Sequence, residues 1–452
     1  MEIRFINHSS IIIDTGSEKI LCDPWYKGTA FANGWRLLMD EVTDINELKF
    51  DKLWISHEHP DHFSIPTLKS LKIKKPVLYQ QTEDKKVKKY LEAEGHTVNE
   101  LPHNKGQIIA GCEVTSIVTE GYDSCLLVDD GKVKFLNIND AQLDKEAEIA
   151  KIVKHTPIDL ISIQFHYANW AGNIGDEEIP VFKRQYTINQ IKKICEVCDT
   201  KDVILFASFI YYAHEENFYW NQSFDHIKLL IEELKTSGLN PILMLPGQAV
   251  RLDRSRNYKK ESDKNHLAYS FWKDQHEAIQ VKEYARHWEL TSIAQLYKSF
   301  IAKLHDKNNI AKYGQTFLKD FRLNCKVTDL NKNLSLGLYE QTFEDVDQTL
   351  FAEYDVSLSS EALAMLLQND FSLGSITIAS RIQFNYETAF KLYFFFLIPY
   401  RNNLGIYLND SISKDLNFEA FKSNGVLKPI FHFNKEAERK FDTFNTQLEK
   451  LN

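Results

Sequence analysis

Three histidines and one aspartate fall within six positions immediately after a predicted strand. Residues 54–62 read WISHEHPDH, and the run before the first histidine has the apolar composition of a buried strand. Imidazole and carboxylate groups are common protein ligands of zinc and iron, and a turn at the end of a strand can direct several of them at one point. We therefore expect His57 and His59 to share one metal ion, and Asp61 and His62 to serve a second ion beside it.

The chain around this cluster alternates short β-rich runs with helical segments. We predict strands at 3–5, 10–13, 20–22, 53–56, 77–79, 113–118, 124–128, 133–137, 160–164 and 203–206, and helices at 65–71, 84–94, 188–198 and 224–237. Strands with interleaved helices are typical of layered α/β structure. The first half of the chain is therefore predicted to be a layered α/β domain.

The cluster also carries a resemblance to a known family. A His-x-His-x-Asp-His pattern after a strand resembles the metallo-β-lactamase superfamily. The resemblance implies an αββα sandwich with a one- or two-metal site at one edge. It also places Asp140, which follows the predicted strand ending at Asn137, where the superfamily has a metal-bridging carboxylate.

Three longer segments resemble a narrower group, the lactamase-like part of the CMP-N-acetylneuraminic acid hydroxylases. They are residues 23–38, 55–71 and 206–214, and the similarity weakens after about Leu252 but extends to 378–383. This resemblance implies a di-iron oxygenase whose substrate is a sugar-nucleotide-like or N-acylated small molecule. Trp35 and Arg381 lie in the matching segments and Trp170 lies in a glycine-containing loop, so we expect these three side chains to contact the substrate.

The hydroxylases of this group also carry a Rieske [2Fe–2S] centre, which needs a Cys-x-His and a Cys-x-x-His pair. None of the six cysteines of this chain forms either pair. If oxygenase chemistry operates here, we expect the electrons to come from a separate protein.

One ligand position ahead of Asp140 departs from the superfamily pattern. A histidine is usual there, but no histidine occurs between His103 and Asp140. Glu120, at the end of a predicted strand, is the best substitute, and Tyr122 and Asp123 are weaker ones. A carboxylate would suit iron better than an all-imidazole set, although a surface glutamate at a strand end is an equally good interpretation.

The last ligand is either His166 or His214, since both follow predicted strands. His166 stands 26 residues after Asp140, a spacing seen in some phosphodiesterase-like members of the superfamily, whereas His214 matches the hydroxylase pattern. Both alternatives stay open, as does a structural role for either histidine.

Two enzyme classes follow from this ligand set. The favoured class is a di-iron oxygenase whose two metal ions are held by Asp61, Glu120, Asp140 and the histidines. The alternative is a zinc hydrolase of an ester, amide or phosphodiester, in which metal binding lowers the pKa of a water molecule toward about 7. Asp61 would then be the catalytic group that orients this water or accepts its proton. A metal-binding scaffold without catalysis fits the dense ligand set least well.

Composition limits the partners. The 452 residues include 54 basic and 63 acidic side chains, and the net charge of −9 argues against nucleic acid or an anionic membrane surface as a partner. The six scattered cysteines favour a reducing cytoplasm, and the N-terminus lacks the apolar run of a signal peptide. The densest apolar run, 392–399, is too short to cross about 30 Å of hydrocarbon. We expect a soluble cytoplasmic protein.

The polar segment 251–265 is the best candidate for a domain boundary. It divides the chain into a metallo-β-lactamase-like domain, 1–255, and an α+β domain, 256–452. In the second half we predict helices at 277–304 and 359–368 and strands at 321–327, 335–339 and 350–356. This pattern loosely resembles sterol-carrier-type domains.

Overall fold

The computed structural model describes residues 1–39, 44–119, 123–141, 157–166, 169–254, 258–313, 317–347, 353–403, 405–408, 422 and 424–450. Within these ranges, none of the helices combines the length and the apolar character that crossing a membrane requires.

The first half of the chain is built around two large sheets. Its strands are β1 (Glu2–Asn7), β2 (Ser10–Asp14), β3 (Lys19–Cys22), β4 (Trp35–Leu37), β5 (Lys52–Ile55), β6 (Val77–Gln80), β7 (Val98–Leu101), β8 (Gln107–Ile109), β9 (Cys112–Val118), β10 (Ser124–Asp129), β11 (Lys134–Asn139), β12 (Leu160–Gln164), β13 (Asp202–Phe206), β14 (Ile210–Tyr212), β15 (Asn240–Leu243) and β16 (Ala249–Arg251). One sheet has the order β16-β1-β2-β3-β5-β6-β7 and the other the order β15-β13-β12-β11-β10-β9-β8, while β4 pairs with β14.

Helices cover the outer faces of both sheets. They are α1 (Ile65–Ser70), α2 (Lys86–Ala93), α3 (Glu178–Val197), α4 (His226–Thr236), α5 (Lys259–Ser262) and α6 (Asn265–Glu277). One apolar cluster contains inward side chains of both sheets, such as Phe5 and Val128, and the buried side of α3 and α4. A second cluster joins α1 and α2 to the other face of the first sheet. The order of layers is helix, sheet, sheet, helix, which confirms the predicted αββα sandwich.

The central strands are apolar on both faces because both faces are covered. In β5, the side chains of Leu53, Trp54 and Ile55 are all fully buried. The buried apolar run stops at Ile55, and the polar segment 56–62 follows at the edge of the sandwich.

The second half is α+β, as predicted. Its strands are β17 (Arg322–Val327), β18 (Lys332–Gly337), β19 (Phe343–Asp345), β20 (Val356–Leu358) and β21 (Gln383–Phe384), in the order β19-β18-β17-β20-β21. Its helices are α7 (Leu290–Lys307), α8 (Ser360–Gln368), α9 (Ser372–Ile378), α10 (Phe390–Asn403), α11 (Leu427–Phe433) and α12 (Lys435–Glu449). The Ser359 hydroxyl accepts a hydrogen bond from the backbone N–H of Ala362 and so caps α8, which lies within the helix predicted over 359–368.

The predicted helix over 277–304 is wrong in its first part. Helix α6 ends at Glu277 and α7 begins at Leu290, and the residues between them are not helical. The backbone of Glu283 pairs there with that of His214, so contacts with the first half override the local helical preference.

The apolar core of the sandwich continues beyond residue 255. Tyr258, Ala268 and Trp272 all belong to it, and the Asn265 side-chain oxygen accepts a hydrogen bond from the Leu243 N–H. Residues 255–257, inside the predicted boundary segment, lie outside the described residues. We propose that the first unit extends at least to Trp272.

Candidate metal centre

The candidate metal ligands follow strands that end at one edge of the sandwich. β1, β3 and β5 run in the same direction in the first sheet, so His8, Asp23 and residues 57–62 come after strand ends at that edge. Asp140 follows β11 in the second sheet. Side chains from both sheets therefore meet at this edge.

Two groups of three potential ligands lie side by side. The first is His57, His59 and Asp140, and the second is His8, Asp61 and His62. Within each group, the three ligand atoms lie within 4.8 Å of one another. This spacing is compatible with one cation in each group.

Asp140 belongs to the first group and also lies close to the second. Its Oδ2 is 3.6 Å from His57 Nε2 in the first group and 3.3 Å from His62 Nε2 in the second. In the second group, Asp61 Oδ2 is 3.2 Å from His62 Nε2 and 3.1 Å from His8 Nε2. Asp140 is thus placed to contact a cation in either group.

A buried hydrogen-bond network fixes the ring of His62. The fully buried carboxylate of Asp23 accepts hydrogen bonds from the Ser56 N–H and hydroxyl, both at 2.8 Å, and from the Asn139 side-chain amide. His62 Nδ1 lies 3.1 Å from Asp23 Oδ2. This contact orients the ring so that its Nε2 points at Asp61 and Asp140, as partners behind metal-bound imidazoles commonly do.

Burial and neighbouring charges shift the protonation of these groups. Burial lowers the pKa of both His57 and His59, so these rings stay neutral at pH 7 and keep a lone pair for a cation. Burial also opposes protonation of His62, but the carboxylates of Asp140 and Asp61 outweigh it and hold the pKa of His62 well above its usual value.

The same interactions lower the pKa values of the two carboxylates, Asp140 and Asp61. Burial would raise the pKa of Asp140, but the nearby His62 and His57 rings outweigh it and hold that pKa below its usual value. The pKa of Asp61 is likewise held well below its usual value, because His62 and His8 outweigh its burial. Both carboxylates are therefore negatively charged at neutral pH.

The residues present fit a pair of metal ions. Among the described residues, no hydrogen-bond donor reaches Asp61 Oδ1 or Asp140 Oδ1, although both atoms are buried. A buried carboxylate oxygen without a donor is costly unless a cation compensates it. Mixed imidazole and carboxylate donors are suited to iron and to zinc.

Of the three residues proposed as the ligand ahead of Asp140, the structure describes one. Glu120 and Tyr122 lie outside the described residues. Asp123, the weaker candidate, lies with its Oδ1 3.8 Å from His57 Nε2. Burial, with the charge of Asp140 adding to it, raises the pKa of Asp123 to about 7.

Neither candidate for the last ligand joins these groups. The backbone N–H of His166 donates to the Ser208 hydroxyl, and its ring lines a small cavity of about 30 Å³. His214 lies beside Glu216 and Arg381, and burial together with the Arg381 charge lowers its pKa to about 3. Sequence reasoning missed His8 as a ligand candidate, although it also directly follows a strand at the same edge.

The three predicted substrate contacts are all buried. Trp35 and Trp170 are at most 1% exposed, and Trp170 packs on Phe384 of the second half. The Arg381 guanidinium is fully buried and donates to Glu216, Glu361 and the Ala32 carbonyl. In this structure the three side chains pack against or bond protein groups, and substrate contact by them stays a prediction.

Fold and site together define a class of protein. An αββα sandwich with clustered histidines and aspartates at one edge is the metallo-β-lactamase fold. Residues 2–136 match the family model described as a β-lactamase superfamily domain. This match confirms the superfamily resemblance on which the sequence analysis relied.

Within this class, the chain is similar to the cytidine monophosphate-N-acetylneuraminic acid hydroxylases. It is 32% identical to the Danio rerio protein over 138 residues, which cover 28% of this chain and 23% of that protein. It is 31% identical to the Mus musculus protein over 151 residues, which cover 31% of this chain and 26% of that protein. The similarity thus spans about a quarter of the length of these relatives.

Solved structures with low sequence identity also align with the chain. CmlA, a diiron beta-hydroxylase from Streptomyces venezuelae, aligns with a TM-score of 0.37 at 16% identity, over 56% of this chain and 54% of that chain. An isothiocyanate hydrolase from Delia radicum gut bacteria aligns with a TM-score of 0.42 at 12% identity, over 56% of this chain and 100% of that chain. The family match and the clustered ligands together indicate a metal-dependent enzyme.

Proposed function

We propose that this chain is a binuclear metal-dependent hydroxylase of a small molecule, with iron as its metal. The observation that carries the proposal is the pair of adjacent ligand groups with Asp140 between them. His57, His59 and Asp140 would hold one ion, and Asp61, His62 and Asp140 the other. His8 is the histidine placed to complete the second set, instead of His166 or His214.

Carboxylates give this ligand set its preference for iron. Asp61 and Asp140 supply hard, negatively charged oxygen donors, and Asp123, whose Oδ1 lies 3.8 Å from His57 Nε2, would add a third. Glu120, the carboxylate that the sequence favours for this role, lies outside the described residues. A pair of iron ions, when bound, supplies the reductive activation of dioxygen that hydroxylation needs. Hydroxylation places one oxygen atom of O₂ in a C–H bond, while two electrons and two protons convert the other to water.

The protein's own residues prepare the site for this chemistry. Asp23 and Ser56 hold the His62 ring in one orientation. His8 contacts Asp61 Oδ2 and no donor among the described residues reaches Oδ1, so Asp61 is the group we assign to orient a substrate or water molecule beside the ions.

Aromatic side chains keep water from the ligands. The Phe31 ring lies 5.7 Å from that of His59, and the Trp25 ring lies 5.3 Å from that of His8. Phe31 and Trp25 are both buried. A dry surrounding strengthens the electrostatic interactions within the site.

The substrate class is taken from the similar hydroxylases, and the separate electron source follows from the missing Rieske cysteine–histidine pairs. We propose a sugar-nucleotide-like or N-acylated small molecule as substrate, and a separate electron-transfer protein as reductant. The net charge of −9 supports the proposal that nucleic acid is not a partner. The six cysteines are buried free thiols, which is consistent with the predicted cytoplasmic location.

A zinc hydrolase is the second candidate. The observation that favours it is the position of His8, which gives the second group two imidazoles and one carboxylate. Zinc hydrolases commonly use such sets and keep one position for water. Asp61 would orient the attacking water molecule in that reaction.

Elemental analysis of the full chain, purified without added metal, tests the proposal. We expect two iron ions per chain, together with reductant-dependent oxygen consumption in the presence of CMP-N-acetylneuraminic acid as the first probe. Asp140→Asn should lose metal and activity. The matched control is Asp159→Asn, because Asp159 directly precedes β12 and its carboxylate accepts a hydrogen bond from the N–H of Lys134, the first residue of β11, away from the ligand groups. Zinc as the only bound metal, without oxygen consumption, would contradict the hydroxylase proposal and favour the zinc hydrolase.

A further inference from the structure

A buried cluster of charged side chains joins the two halves of the chain. Arg381, just after α9, donates through Nε to Glu216 Oε2 at 2.6 Å and through Nη2 to Glu361 Oε2 at 2.7 Å. Glu216 belongs to the first half and Glu361 to the second. His214 Nδ1 lies 3.3 Å from the same Glu216 oxygen. A buried charge of this kind keeps its position only while its partners remain.

The third arm of Arg381 reaches a loop beside the metal ligands. Its Nη1 donates to the Ala32 carbonyl at 2.6 Å. Phe31, Ala32 and Asn33 all adopt left-handed backbone conformations, with φ of 48°, 52° and 58°. This conformation costs a non-glycine residue roughly 1–2 kcal/mol, and three in succession persist only where neighbouring contacts hold them. The bond from Arg381 is one of these contacts.

Gly34 allows the loop to approach the second half closely. A Cβ atom at this position would lie 2.5 Å from Ala379 Cβ and 2.9 Å from Asn217 Nδ2. The Asn217 amide donates to the Gly34 carbonyl at 3.1 Å and to the Ala379 carbonyl at 2.6 Å. Loop 31–34 is therefore held between the two halves.

Phe31 connects this loop to the metal centre. Its ring centroid lies 5.7 Å from that of His59 and 4.7 Å from that of Trp35, both in edge-to-face geometry. A shift of the loop would therefore change the packing on one face of the His59 imidazole.

We propose that Arg381 is a positioning residue of the metal centre: it fixes loop 31–34, so that Phe31 holds the His59 ring in its binding orientation. The proposal rests on the proposed function for the identity of the metal ligands. The second half of the chain then contributes to the metal centre, because its Arg381 sets the orientation of the ligand His59.

Cobalt(II) loading of the full chain tests the proposal, because the ligand-field absorption of Co²⁺ reports the geometry of its ligands. We expect Arg381→Met to change this spectrum and to weaken binding of one of two Co²⁺ ions about tenfold or more, as expected when the support of a ligand is lost. Arg381→Lys keeps the charge but not the three-way hydrogen bonding, so it should give an intermediate spectrum.

Phe31→Leu should give the same spectral change as Arg381→Met. If Arg381 acts through Phe31, the double variant should show no further change beyond the larger single effect. The matched control is Arg322→Met, which removes another ion-paired arginine of the second half, one that bonds Thr342 and Glu344. This control should leave the Co²⁺ spectrum unchanged.

A second variant covers the case in which Arg381→Met fails to fold. Gly34→Ala leaves the ion cluster intact but pushes the loop away from Ala379, and it should reproduce the spectral change. A Co²⁺ spectrum unchanged in the folded Arg381→Met or Gly34→Ala variant would overturn the positioning role, while two bound ions in the parent would leave the proposed function standing. A parent chain that binds no Co²⁺ would overturn both.

Discussion

Asp23→Asn should weaken both the fold and the metal centre, because the Asp23 carboxylate is the acceptor at the middle of the network behind His62. It accepts from the Ser56 N–H and hydroxyl and from the Asn139 amide, and it contacts His62 Nδ1 at 3.1 Å. An asparagine keeps the shape and one acceptor oxygen, but it places an NH₂ group where the carboxylate had its second oxygen.

The expected cost follows from these contacts. The Ser56 hydroxyl can rotate and accept from the new amide, so that bond can survive. His62 Nδ1 and the Asn139 amide then each lie opposite a donor, the new NH₂ group, where they had an acceptor oxygen. Hydrogen bonds to charged groups contribute roughly 1.5–3 kcal/mol each. We expect the free energy of unfolding to fall by about 2–4 kcal/mol, and metal affinity to fall about 10–100-fold because His62 loses its orientation.

Urea unfolding of the metal-free chain and a chelator competition with Zn²⁺ measure these two effects. The matched control is Asp355→Asn in the second half, where a buried aspartate accepts a hydrogen bond from the Asn324 N–H. The control should lose stability and keep its metal affinity. Loss of stability in Asp23→Asn with parental Zn²⁺ affinity would refute the role assigned to Asp23 in orienting His62.

Three further predictions concern the first ion, a buried lysine and the junction between the halves. His59→Ala should reduce bound metal by one ion per chain and abolish turnover, which metal analysis checks, and retention of two ions would contradict the ligand assignment. Burial, with Lys428 adding to it, lowers the pKa of Lys183 to about 7. Between about pH 7 and pH 10 the unfolded chain therefore binds more protons than the folded one, and stability rises by about 1.4 kcal/mol per pH unit from this group. Lys183→Met should remove that rise in urea unfolding measured from pH 7 to 9, whereas parallel pH curves would contradict it. Brief trypsin treatment should cut first within 251–265, where Arg251 and Arg254 are exposed, and resistance throughout would contradict the boundary expected in this segment.

The core of the site could be predicted because its chemistry is contiguous in the sequence. His57, His59, Asp61 and His62 follow one strand within a few positions, whereas Asp140, which directly follows another strand, was expected from the family resemblance. The short apolar runs sufficed to predict a layered α/β domain, because buried parallel strands leave a clear hydrophobic pattern. The αββα arrangement was expected from the family resemblance.

Other features depend on contacts between distant segments. His8 is a lone histidine in the sequence, and only the sheet topology brings it to 3.1 Å from Asp61. The burial of Arg381 arises from its partners in loop 31–34 and at Glu216, which no local pattern reveals. The helix expected over 277–304 failed for the same reason, since the backbone of Glu283 pairs with that of His214.

A crystal structure of the protein purified without added metal, with anomalous diffraction data collected at the iron and zinc absorption edges, would show directly whether this edge of the sandwich holds a pair of iron ions. We expect two adjacent iron peaks per chain, one contacted by His57 and His59 and the other by Asp61 and His62, with Asp140 reaching both. A single peak, no peak, or peaks located away from these residues would contradict this expectation.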